Sequence, residues 1–204
     1  MSNDCSELDV PFLQIEPTTR CNFICGFCAG RHMPQQNMAL DVFERALSSV
    51  HGLRHVELQG EGEPMLHPDF FRMGEMIRRL HPGRGEAGSP PARGGGQSPF
   101  CSEDSAKWGQ SPTQNGDSLP RISLITNGSL FSAENVARLI DLGFHKVCVS
   151  IESRDPDEFT AIRGGKLEKV LDGIRLLLEA RRQRQAARPA VGLAITILRC
   201  HRAD

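Results

Sequence analysis

The 204-residue sequence has no excess of charge of either sign: 24 Lys and Arg face 25 Asp and Glu, for a formal net charge of −1. No global field therefore favours a nucleic acid or an anionic membrane as partner. No apolar stretch approaches the roughly 20 residues that a membrane span needs. The opening MSNDCSELDV has no basic segment leading into an apolar one, so a cytoplasmic chain is expected. A disulfide layout is lacking as well. Seven cysteines is an odd number, and three of them fall between residues 21 and 28, a spacing that suits metal ligation in a reducing compartment better than a framework of bridges. Cys5, Cys148 and Cys200 have no matching spacing, and Cys148 reads as a small buried residue inside a strand.

What is present is an alternating beat. Residues 10–16 (VPFLQIE) form a short apolar run that leads directly into a polar, cysteine-bearing loop. Residues 39–50 follow with Leu40, Phe43, Leu47 and Val50 at helical spacing and with Asp41 and Glu44 early in the helix. The unit recurs as strand 55–59, loop Gly60-Glu61-Gly62-Glu63-Pro64 and helix 69–80. It recurs again as strand 121–126, turn Asn127-Gly128 and a helix over 133–142 ending at Gly143. Strand 146–151, a polar loop, helix 167–184 and strand 191–198 complete the pattern. Strands alternating with helices predict an α/β fold with five parallel strands covered by helices.

One stretch breaks the beat. Residues from about 82 to 120 are rich in Gly, Pro, Ser and Gln, and a disordered insertion is expected there within a single domain spanning 1–204. Cys101 and Trp108 inside it carry no expected function.

The chemistry concentrates in Cys21-Asn22-Phe23-Ile24-Cys25-Gly26-Phe27-Cys28. Three thiolates on one loop, separated by three and then two residues, can each bind a separate iron of one iron–sulfur cube and leave the fourth iron open. A zinc site is the competing reading, although zinc commonly recruits paired Cys-x2-Cys units and no second pair exists. His32 is close enough to serve as a fourth ligand, but a solvated loop histidine is the plainer reading.

This spacing, with Phe27 just before the last cysteine, resembles the cluster loop of the radical S-adenosylmethionine (radical SAM) enzymes. Further motifs follow in that family's order over about residues 10–198. Gly60-Glu61-Gly62-Glu63-Pro64 resembles its Gly-Gly-Glu-Pro motif, with Glu61 in place of the first glycine; the Gly-Glu-Gly-Glu-Pro form resembles members that modify peptides. Thr126-Asn127-Gly128 resembles the family's Thr-Asn-Gly turn. Ser150 and Glu152, at the end of the fourth strand, and Arg163, in the loop after it, resemble residues that hold the cofactor's ribose or carboxylate.

The resemblance implies a partial (β/α) barrel with its functional loops at the carboxyl ends of the strands. It further implies a [4Fe-4S] cluster on Cys21, Cys25 and Cys28, with S-adenosyl-L-methionine held by Gly60, Glu61, Gly62, Glu63, Pro64, Thr126, Asn127, Ser150, Glu152 and Arg163. The implied activity is reductive cleavage of that cofactor to a 5′-deoxyadenosyl radical, which abstracts hydrogen from a peptide or another small substrate. An electron donor such as flavodoxin or ferredoxin is implied as partner. Because the chain stops soon after its fifth strand, the barrel's sixth unit is expected to be missing. The rival expectation is a truncated, non-catalytic iron–sulfur-binding remnant or one half of a split protein.

Overall fold

The computed structural model describes residues 8–82 and 119–197. The insertion expected at about 82–120 falls almost wholly outside the described residues, as do Cys5, Cys101, Trp108 and Cys200.

The described chain runs β1 (Leu8–Asp9), β2 (Phe12–Ile15), α1 (Leu40–Ser48), β3 (Val50–His51), β4 (His55–Leu58), α2 (Phe70–Leu80), β5 (Arg121–Thr126), α3 (Ala133–Asp141), β6 (Lys146–Ser150), α4 (Pro156–Arg163), α5 (Leu167–Gln183) and β7 (Ala190–Ala194). Five strands form one sheet in the order β2-β4-β5-β6-β7, and every neighbouring pair is parallel. Each crossover carries helix, as parallel neighbours require. The result is the expected α/β architecture, a five-stranded partial barrel.

Strand alternation divides the sheet into two faces. Val56 and Leu58 of β4, Ile122 and Leu124 of β5, and Val147 and Val149 of β6 are fully buried. They form one core with Phe43 and Leu47 of α1, Phe70, Met73 and Ile77 of α2, Val136 and Leu139 of α3, and Val170 and Leu177 of α5. Burying each such side chain stabilises the fold by about 1.5–3 kcal/mol. The intervening residues Glu57, Ser123, Lys146, Cys148 and Ser150 occupy the opposite face. There His55 Nε2 lies 2.8 Å from Ser123 Oγ, and burial lowers the proton affinity of His55 and raises that of Glu57.

Three details depart from the sequence expectation. The first strand is interrupted at Pro11, which has no N–H to give a ladder: β1 pairs instead with β3, and the Pro11 carbonyl accepts from Arg54 N and His55 N. Residues 50–51 therefore leave the expected helix and become strand. The polar loop expected after β6 is in part a helix, α4, so Arg163 is the last residue of a helix and not a loop residue.

Candidate functional site

The loops at the carboxyl ends of the strands enclose a cavity of about 370 Å³. Cys21, Cys25 and Cys28 line it together with Gly60, Glu61, Gly62, Glu63, Thr126, Asn127, Ser150, Glu152 and Arg163. Of the expected site residues only Pro64 stands back from the wall: it is buried as the first residue of the short 3-10 turn Pro64–Leu66. Ser150 and Glu152, two apart, both face the cavity, as alternation predicts.

The cysteine loop is held from α4. Ile24 N donates to Arg163 O at 3.0 Å and Gly26 N to Ile162 O at 2.9 Å. α4 stops at Gly164, whose φ of +69° is left-handed. A Cβ at Gly164 would lie 2.2 Å from Ile24 Cγ1, and one at Gly165 would lie 2.3 Å from the Phe23 ring, so the two glycines form the seat of the loop. The three cysteines carry free thiols. Burial pushes the Cys25 thiol up in pKa, partly offset by the Arg163 charge. Cys28 is raised by burial and then by its hydrogen bond to Glu61.

A second set of contacts joins the cysteine loop to the turn after β5. Asn127 Nδ2 donates to Asn22 Oδ1 at 2.8 Å, and Asn22 Nδ2 donates to Ser129 Oγ at 2.8 Å. Asn127 Oδ1 accepts from both the amide and the hydroxyl of Ser129. Asn22 and Ser129 were not among the residues the sequence pointed to. They are generic polar residues, and only adjacency to Cys21 and Asn127 could have marked them.

Glu63 is 1% exposed. Its carboxylate accepts from Thr126 Oγ1 at 2.7 Å, from Asn127 N at 2.7 Å and from Met65 N at 3.2 Å. Burial raises its proton affinity, and these hydrogen bonds and Arg163 pull it back in part. With three donors already on it, this carboxylate anchors the β4 loop to the β5 turn. The neighbouring Gly62 is demanded by space: a Cβ there would lie 2.1 Å from Thr18 O and 2.7 Å from Arg20 O. The backbone of 60–62 is thus left bare toward the cavity, the usual service of glycine beside a ligand.

On the far wall Arg163 Nη1 pairs with Glu152 Oε1 at 3.1 Å, and the two side chains are 9% and 2% exposed. Burial raises the Glu152 pKa, with Arg163 opposing. The guanidinium also lies 5.8 Å from the Phe23 ring centroid and 6.0 Å from that of Phe27. Glu152 Oε2 and Arg163 Nε are buried without a hydrogen-bond partner. Orphaned polar atoms of this kind call for a ligand with polar groups of its own.

The donor set fits an iron–sulfur cube and a bound zwitterionic cofactor: three soft thiols on one cavity wall, a bare glycine backbone beside them, and an unsatisfied carboxylate and guanidinium opposite. Among the described residues no three His, Cys, Asp or Glu side chains converge on a point that would hold a single ion, and a cube, which takes one thiolate per iron, needs no such convergence.

Fold and site together define a parallel α/β core built around a three-thiolate loop. The family model described as the radical SAM superfamily matches residues 15–193, and the chain belongs to that superfamily, enzymes that use a [4Fe-4S] cluster and S-adenosylmethionine. Among its relatives, the Sinorhizobium medicae protein named GTP 3′,8-cyclase is 30% identical over 179 residues, which cover 84% of this chain and 41% of the relative. The Listeria monocytogenes protein of the same name is 28% identical over 176 residues, covering 80% and 40%. The chain thus spans about two fifths of the length of the curated relatives it matches. Among solved structures, anSMEcpe with bound AdoMet and Cp18Cys peptide superposes with a TM-score of 0.58 at 19% identity, covering 91% of this chain and 42% of that one. Streptococcus suis SuiB bound to precursor peptide SuiA gives 0.55 at 14% identity, covering 93% and 40%. At those identities the likeness concerns the fold. No helix among the described residues is long and apolar enough to cross a membrane.

Proposed function

We propose that Cys21, Cys25 and Cys28 hold a [4Fe-4S] cluster with one open iron, and that S-adenosylmethionine occupies the cavity beside it. The observation that carries this reading is the convergence of three free thiols, the Gly60–Glu63 backbone and the orphaned Glu152–Arg163 pair on one cavity. When bound, cluster and cofactor supply radical chemistry that abstracts hydrogen from a substrate. The chain's own residues do the rest. The bare backbone at 60–62 offers carbonyl oxygens to an ammonium, and the glycines let it approach. Arg163 offers a buried guanidinium to a carboxylate while Glu152 keeps its charge balanced. Ser150 and Glu152 face the same space as acceptors for hydroxyl groups. Asn22, Asn127 and Ser129 hold Cys21 and the β5 turn in one frame, so that cluster and cofactor sites keep their relative position.

The Gly-Glu-Gly-Glu-Pro loop favours a peptide as substrate. A nucleotide is the second reading, and the printed name of the relatives, GTP 3′,8-cyclase, favours it. An electron donor such as flavodoxin or ferredoxin would supply the reducing equivalent. The test is formation of 5′-deoxyadenosine, followed by mass spectrometry, when the anaerobically reconstituted, dithionite-reduced protein is given S-adenosylmethionine. Formation that is lost in Cys25→Ala supports the proposal. Absence of the product from a protein carrying a full cluster would refute it and return the remnant reading.

A further inference from the structure

Glu61 stands where the family's motif has a glycine, and the structure gives its side chain a definite place. Its stem lies directly over Gly30, where an added Cβ would come within 2.4 Å of Glu61 Cβ. Its Oε2 accepts from Gly30 N at 3.0 Å and from the Cys28 thiol at 3.3 Å. Its backbone carbonyl lies 3.9 Å from the same sulfur, and its backbone amide is fixed by Glu16 Oε1 at 2.6 Å. Glu61 also borders a second cavity, of about 300 Å³, which Thr19, Phe23, Ile24 and Gln35 line on the other side of the loop. The carboxylate is thus wedged between the Cys28 arm and the start of the turn Ala29–His32. A glycine at position 61 would leave that arm with neither contact.

We infer that Glu61 is a positioning residue for the third cluster thiolate, and that its negative charge beside Cys28 makes the cluster harder to reduce than the glycine-bearing form of the motif would. The inference rests on the proposed cluster assignment. Reduction adds an electron to the cluster, and a fixed negative charge next to a ligand sulfur opposes that addition. Net charge and hydrogen bonds to the sulfurs are among the levers that set such potentials. The two variants separate charge from shape. Glu61→Gln keeps a side-chain oxygen for Gly30 N and removes the charge; Glu61→Gly removes charge and contact together.

The experiment is a mediator titration of the reduced-cluster electron paramagnetic resonance signal, with iron content measured on the same samples, for the wild-type chain and both variants. A midpoint shifted to more positive potential in Glu61→Gln and in Glu61→Gly, with iron content near that of the wild type in Glu61→Gln, is the expected result. If one variant does not load, the shift is read from the other. Unchanged or more negative midpoints would overturn the inference, and so would loss of iron from both variants, which would make Glu61 a requirement of the loop and not an adjuster of the cluster. A wild-type chain that takes up no cluster would defeat the cluster assignment itself, a result distinct from either.

Discussion

Arg163→Met should be the most informative single change in the cavity wall. The Glu152–Arg163 pair is nearly solvent-free, at 3.1 Å with side chains 9% and 2% exposed. Removing the guanidinium leaves a buried carboxylate whose Oε2 already has no hydrogen-bond partner. Breaking a buried pair from one side costs about 3–5 kcal/mol, which in a chain of this size lowers the melting temperature by roughly 6–20 °C. The sign with pH follows from Glu152. Burial raises its folded pKa above the unfolded value, so its contribution is fully present below the ordinary glutamate range, about 4.3, and is lost as pH rises through the folded value. Without Arg163 that penalty grows, and the deficit of Arg163→Met should widen from acid toward neutral pH. The double variant Glu152→Gln/Arg163→Met removes both charges and should recover at least half of the loss, since a buried pair replaced as a unit is often close to neutral. The assay is thermal unfolding of the cluster-free protein by circular dichroism. A single variant within about 1 kcal/mol of wild type, or a double variant no more stable than the single, would refute the reasoning.

Three further outcomes are expected. Arg78→Ala should cost about 2–4 kcal/mol in urea unfolding, because its guanidinium donates to Pro120 O, Leu142 O and Gly143 O and so ties the entry of β5 to the α3–β6 turn. Gly62→Ala should lose soluble folded protein or cluster loading, read by circular dichroism and iron content, since the obstruction is backbone on backbone and cannot be relieved by a rotamer change. Glu63→Gln should flatten the pH dependence of stability. Burial raises the folded pKa of Glu63, so wild type should lose its advantage over the variant as pH rises above the ordinary glutamate range, measured as urea midpoints across pH.

The central strands were legible because β4, β5 and β6 carry contiguous or alternating apolar residues bounded by Gly, Pro or Asn, and the three thiol positions because their spacing is rare in any other role. α4 was not legible from periodicity: only Phe159 and Arg163 of its eight residues are buried, so it has almost no apolar stripe to detect. Its ends did carry a signal. Asp155 accepts from Glu158 N at 2.8 Å, Pro156 opens the helix and Gly164 closes it, a pattern of capping residues that marks a helix without a hydrophobic face. The pairing of β1 with β3 joins two-residue strands about 40 positions apart, and so short a strand leaves no period to read. Within the site, the cavity-facing places of Ser150 and Glu152 followed from alternation, whereas the Asn22–Asn127–Ser129 frame depends on two loops meeting in space, and sequence spacing carries no trace of that.

The central claim is that the three thiols hold a cluster with an open iron that meets S-adenosylmethionine. Electron paramagnetic resonance of the anaerobically reconstituted, dithionite-reduced protein, recorded with and without S-adenosylmethionine, tests it most directly. The account predicts a [4Fe-4S] signal that changes when the cofactor is added; a signal indifferent to the cofactor, or no cluster signal at all, would contradict it.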